Sequence, residues 1–269
     1  MEKPLGLKLM LGLGLGIPLF IISLLIATIS SLVGLGGGVF LVPTLVLAFG
    51  LPSQKAVGAS LFAMTFTTLS ATIAYARQRK IYYRIGILLD VLDVPGAALG
   101  AYITTLIDSQ LLAIIFGLFL FIVSIRLLRS EASQENGALE GSRTICLTKG
   151  IVVSSLAASF ASGIVAGMLG AGGGTVDETV MILVLGMPAS FAAGTAEFGM
   201  ALTNSAALVS HWILGNVMID YVVPLAIGAA IGAQIGPHLS KQVGERILRK
   251  VLGIVFVLIG LRMVLINTV

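Results

Sequence analysis

Apolar residues run along this chain in long blocks, without the alternation of a strand or the single stripe of a soluble amphipathic helix. Blocks of helical length are predicted at about 7–34, 56–76, 83–106 and 110–129, and again at about 148–169, 191–214, 219–239 and 246–266. Each is long enough to cross ~30 Å of hydrocarbon at ~1.5 Å per residue. Met1 to Lys8 has the basic character of a signal-peptide start, but the run Leu9 to Val33 carries no charge and no convincing cleavage site, so it reads as a helix. Two further apolar segments, 39–50 and 175–186, fall short of the ~17 residues a crossing needs and are predicted as half-helices or re-entrant segments. The one sizeable polar stretch, Ser130 to Lys149, divides the chain into 1–129, a cytoplasmic linker at 130–148, and 149–269.

Composition turns these blocks into membrane helices. Hydrophobic residues make up 57% of the 269 and charged residues only 10%, against ~25% charged in a soluble domain. Mean hydropathy is +1.08, so the expected class is an all-α integral membrane protein with the bilayer as its first partner. The net charge of +4 is not gathered into a basic tract with interleaved aromatics, which argues against nucleic acid. A single cysteine, Cys146, excludes an intrachain disulfide and a thiolate metal cluster. Neither a cofactor nor a metal is expected.

The two halves are related. Sliding the chain by 136 positions pairs Gly34–Leu128 with Gly170–Val264 without a gap, giving 20 identities in 95 pairs, nine of them glycine. Gly34-x-Gly36-Gly37-Gly38 falls on Gly170-x-Gly172-Gly173-Gly174, Gly50-x-Pro52 on Gly186-x-Pro188, and Ala56-x-Gly58 on Ala192-x-Gly194. Each repeat therefore holds about four full helices and one short one.

Charge bias sets the orientation of the repeats. The loop 77–84 carries Arg77, Arg79, Lys80 and Arg84, while its counterpart 213–220 carries only Asp220. Conversely, 106–110 has only Asp108, while 241–250 has Lys241, Arg246, Arg249 and Lys250. Equivalent loops of opposite bias are what inverted topology produces under the positive-inside rule. With 77–84, 126–149 and 241–250 in the cytoplasm, 12 of the 16 cations lie inside and both termini face out.

Each triple glycine interrupts a hydrophobic run. Free backbone N–H and C=O groups cost several kcal/mol in hydrocarbon, so such a break belongs where it is buried in protein or lines a wet cavity. A short helix starting there directs unpaired N–H groups and about half a positive charge into the break. Two breaks facing each other near the midplane would form an anion cradle. The alternative use, close helix crossing, suits three consecutive glycines poorly because they span every helix face. The stripes Gly96/Gly100 and Gly228/Gly232/Gly236 do suit close packing, as an internal contact or as the seam of a homodimer.

The string Gly34-Leu-Gly36-Gly37-Gly38-Val-Phe-Leu-Val-Pro43, with Ala56-Val-Gly-Ala-Ser60 downstream and a second GGG, resembles the TauE/SafE sulfite exporter family across essentially the whole chain. The second copy departs from the motif: Thr179 replaces proline, Ala196 stands at the serine position, and Asp177 and Glu178 precede it. The resemblance implies a multi-pass transporter in the plasma (inner) membrane, moving a small sulfur-containing anion such as sulfite or an organosulfonate. Expected substrate contacts are Gly36, Gly37, Gly38, Ser60, Gly172, Gly173, Gly174, Thr175 and Asn204.

Ionisable residues deep in membrane segments are functional candidates because each is costly to insert. Glu197, Asn204 and His211 are spaced by seven, along ~21 Å of one helix face, and their counterparts are Leu61, Thr68 and Tyr75. Asp93 lies ~13 Å along its helix from Arg84. A carboxylate near an anion is consistent if it is protonated when the anion is bound, so Glu197, Asp93, Glu178 and His211 are candidates for proton coupling. Two of these polar groups have simpler readings. His211, beside Trp212, suits an interfacial anchor, and Asp90 suits an ion pair with Arg84. Arg126 and Arg262, equivalent in the repeat, should snorkel to headgroups.

No G-x-x-x-x-G-K-[ST] occurs, so ATP-driven pumping by this chain is not expected, and no H-E-x-x-H or G-x-S-x-G supports a membrane enzyme. A channel, or a carrier for another small anion or cation, is the nearer alternative to the anion transporter.

Overall fold

The computed structural model describes residues 5–33, 37–129, 149–174, 177, 181, 187–239 and 245–267. Nine helices are defined among them: α1 (Leu5–Val33), α2 (Gly38–Leu47), α3 (Ser53–Arg77), α4 (Tyr83–Ile103), α5 (Ser109–Arg129), α6 (Lys149–Leu169), α7 (Ala189–Ile213), α8 (Ile219–Leu239) and α9 (Glu245–Asn267). By length and composition alone, α1, α3 and α8 are each apolar enough to cross a membrane. The short segment predicted at 175–186 and the linker with Cys146 lie outside the described residues, apart from Asp177 and Met181.

Two predicted ends move inward. The first short helix stops at Leu47 rather than near 50, because the Leu51 N–H turns back to Leu45 O (3.1 Å) and Gly50 takes φ +65°. The helix predicted to reach 106 ends at Ile103. There Thr105 and Leu106 N–H groups bond Tyr102 and Ile103 carbonyls at 3.0 Å, a tightened last turn.

Packing repeats across the two halves. α1 lies on α8 and α6 lies on α4, α3 packs on α8 as α7 packs on α4, and the equivalent pairs α3/α7 and α5/α9 pack on each other. Individual contacts obey the same 136-residue shift. Met187 N–H bonds Met181 O at 2.9 Å, as Leu51 bonds Leu45. Lys80 N–H bonds Tyr75 O (3.1 Å), and Asn216 N–H bonds His211 O (2.9 Å). Gly58 leaves no room for a Cβ against the Asn216 carbonyl, and Gly194 leaves none against the Lys80 carbonyl. The loop after α3 thus meets the start of α7, while the loop after α7 meets the start of α3.

The glycine stripes serve internal contacts. Gly96 and Gly100 sit against the backbone of α6 at Phe160 and Ile164, and Gly228 and Gly232 against that of α1 at Phe20 and Leu24. Buried small residues bring these backbones together where lipid gives helices no hydrophobic drive to associate. Large apolar side chains such as Ile73, Val91, Ile122, Val209, Ile227 and Leu258 point outward, as a lipid-facing surface requires.

Candidate substrate site

The first break ends at Gly37, whose φ of +92° is a backbone conformation that side-chain-bearing residues rarely adopt. It lets α2 begin at Gly38 in the interior. The second break turns at Gly170 (φ +63°) and Gly172 (φ +76°). The two meet. Gly38 abuts the carbonyl oxygen of Gly170, with no space for a Cβ between them, and the Ser60 hydroxyl donates to that same oxygen at 3.3 Å.

Two methionines close over the junction. Met64 lies against Gly38 and Gly172, and Met200 lies against Gly172 and Gly174. Both are fully buried, and they are equivalent positions of the repeat. The sequence reading passed over them, although Met64 and Met200 are identical residues at a shift of 136. A thioether on three rotatable bonds is the adaptable filler of irregular interiors.

Of the predicted contacts, Gly38, Ser60, Gly172, Gly173 and Gly174 gather here, with Gly37 at the entry to α2. Gly36, Thr175 and Glu178 lie outside the described residues. Glu197, Asn204 and His211 are all fully buried along α7, as their spacing requires. Asn204 stands one helical turn beyond Met200, and among the described residues neither atom of its amide has a hydrogen-bond partner. An unpaired buried amide costs roughly 1–3 kcal/mol, an expense native structures seldom carry without a use.

Two simpler readings are overturned. His211 is no interfacial anchor: it is buried, with Nε2 2.8 Å from Gly167 O and Nδ1 3.2 Å from the Asn216 amide. Those contacts tie α7 to α6 and to the loop that follows α7, while the neighbouring Trp212 is exposed. Asp90 does not serve as a partner at the membrane edge. It is buried on the Cβ-less face of Gly199 and accepts a bond from Thr203 Oγ1 at 3.1 Å, while Arg84 is exposed. Arg262 is exposed, and the side chain of Arg126 lies outside the described residues.

Asp93 lies beside the second break. Its Oδ2 would stand 3.1 Å from a Cβ on Gly173, and the Ser162 hydroxyl holds the Gly173 carbonyl at 2.8 Å. Asp90, Asp93 and Asp177 each bring a carboxylate oxygen within 4.8 Å of the other two, and all three are buried.

The model of the family described as "Sulfite exporter TauE/SafE" matches residues 19–263. The chain belongs to that family. Among curated proteins it is similar to the probable membrane transporter protein YunE of Bacillus subtilis, with 30% identity over 262 residues covering 91% of this chain and 96% of YunE. It is also similar to YdhB of the same organism, at 26% over 66% of this chain and 71% of that one. A third relative is MJ0441 of Methanocaldococcus jannaschii, at 24% over 72% and 71% respectively. Both carry the same description as YunE. No solved structure matches the chain. The family membership and the apolar helices establish a multi-pass membrane protein of a transporter family.

Proposed function

We propose that this protein is a secondary transporter of a small sulfur-containing anion, sulfite or an organosulfonate, in the plasma membrane. The observation that carries the reading is the meeting of the two glycine breaks at Gly38 and Gly170, with the amide of Asn204, unpaired among the described residues, one helical turn from Met200. The start of α2 and the second break supply backbone N–H groups to an oxyanion, and helix N-termini favour negative charge. Ser60 and Asn204 add hydroxyl and amide donors. Glu197, Asp93, Glu178 and His211 are the groups through which a proton would couple to the anion. With the breaks closed by Met64 and Met200, the cradle is occluded, so substrate entry requires those side chains to swing aside.

The repeats are inverted in this reading. The opposite charge bias of equivalent loops supports it, as does the placement of those two loops at opposite ends of α3. Cys146 reports on it directly: an impermeant maleimide should label it in inside-out vesicles and not in intact cells.

Purified full-length protein in liposomes tests the function. Labelled sulfite and taurine should exchange across the bilayer in counterflow, with and without a pH gradient. Ionic conductance without counterflow would make it a channel, and turnover without transmembrane movement an enzyme.

A further inference from the structure

The carboxylates of Asp90, Asp93 and Asp177 demand an account that anion binding does not supply. Asp90 and Asp93 project from one face of α4, and Asp177 comes from just beyond the second break. They are 3%, 1% and 4% exposed. Among the described residues, the charged groups acting on them are one another. Ionised carboxylates this close in a dry interior repel strongly, so the arrangement calls for a positive partner, a proton or a metal ion.

A second observation points to a ligand. Neither carboxylate oxygen of Asp93 receives a hydrogen bond of acceptable geometry among the described residues. The side chain is buried, and its carboxylate lies within reach of those of Asp90 and Asp177. Asp90, by contrast, is positioned by Thr203 on α7.

The repeat supplies a control within the same molecule. Positions equivalent to Asp90, Asp93 and Asp177 are Ala226, Ala229 and Leu41, and all three are buried. The helix packing equivalent to α4 on α6 is thus built on the other side, α8 on α1, without a carboxylate. The acids serve something other than packing.

We infer that Asp90, Asp93 and Asp177, with the Thr203 hydroxyl beside them, bind a hard, dehydrated cation. The donor set is oxygen only. Oxygens that all lie within 4.8 Å of one another can share one ion, at ligand distances of about 2.3–2.6 Å for calcium. No metal was expected from the sequence, because Asp177 is far from Asp90 and Asp93 along the chain.

The position gives the ion a role. Asp93 borders Gly173, and Asp177 follows the same break, so a cation held by both fixes the backbone that forms the second half of the cradle. Its charge also offsets that of an incoming anion. This coupling rests on the anion-transport reading; the cation site itself does not.

Direct binding to the full-length protein in detergent, with no anion present, tests the site. Tracer sodium-22 and calcium-45 are the probes, in scintillation-proximity format with unlabelled competitor. At least one tracer should bind saturably, and its affinity should fall at least 10-fold in Asp93→Asn and Asp177→Asn but not in Asp220→Asn, at an exposed position. Size-exclusion profile and thermal midpoint establish that the variants fold. Absence of saturable binding of either ion to the wild-type protein overturns the inference, whatever the variants do. So does a purely proton-dependent behaviour indifferent to both ions. Cation binding without sulfite or sulfonate transport would leave this site standing and sink the anion reading alone.

Discussion

Alanine at Gly38 adds one methyl group at the point where the breaks touch. That methyl would collide with the Gly170 carbonyl oxygen and the Met64 sulphur. The φ of Gly38 is not left-handed, so the substitution carries no dihedral penalty, and helix propensity alone would favour alanine by ~1 kcal/mol. Overpacking costs about 1–3 kcal/mol, and the upper end applies because Met64 can rotate away but a backbone carbonyl cannot. The net loss of roughly 1–2 kcal/mol corresponds to a fall of about 2–8 °C at ~2–4 °C per kcal/mol for a chain of about this size. Gly16→Ala in α1, where nothing lies within 4 Å of the added carbon, is the matched control and should hold or gain stability. The measurement is thermal unfolding in one detergent, followed by the fluorescence of Trp212, with sulfite counterflow on the same preparations. Gly38→Ala should lose both midpoint and counterflow. If it melts with Gly16→Ala, the breaks do not meet and the cradle argument fails.

Four further outcomes follow. Met64→Ala and Met200→Ala should each weaken occlusion and raise basal leak of the anion in liposomes, while Met64→Leu should behave like wild type; equal leak in all three would remove the methionines from the path. His211→Ala deletes two buried hydrogen bonds and should cost about 1–3 kcal/mol in denaturant unfolding; the pH profile of transport should change as well, and an unaltered profile would leave His211 a structural tie alone. Asn204→Leu replaces a buried amide that is unpaired among the described residues with an isostere, so stability should hold or rise while substrate affinity falls; loss of stability would show that the amide is structurally engaged. Glu197→Gln should alter the pH dependence of transport, and an unaltered profile would exclude it from proton coupling.

Much of this fold was legible because membrane helices announce themselves by length and apolarity, a property of each segment alone. The 136-residue register then carried real tertiary information: Gly58 and Gly194 are both glycine because each faces a loop carbonyl of the other half. What the sequence hid were pairings between distant segments. Asp90 looked like a partner for Arg84, six residues before it, because local spacing was the visible evidence. Its hydroxyl partner, Thr203, lies 113 residues away. His211 sits beside an aromatic that does face outward, so a one-dimensional view made both interfacial; only the approach of α6 shows one turn of helix presenting Trp212 outward and His211 inward.

The departures from symmetry carry the mechanism further than the symmetry does. If the repeats are inverted, a site made only of equivalent parts, such as Met64 with Met200 or Gly38 with Gly174, is nearly the same seen from either side, and a ligand there has little reason to favour one conformation. A ligand shifts an equilibrium only by its difference in affinity between the two states. The carboxylates facing the second break have alanine and leucine as counterparts near the first, so whatever binds them acts on one half alone. Moving the set, by Asp90→Ala and Asp93→Ala together with Ala226→Asp and Ala229→Asp, should therefore weaken or reverse the ion-driven asymmetry of counterflow between right-side-out and inside-out vesicles. Unchanged asymmetry in a folded variant would place the source of direction elsewhere in the chain.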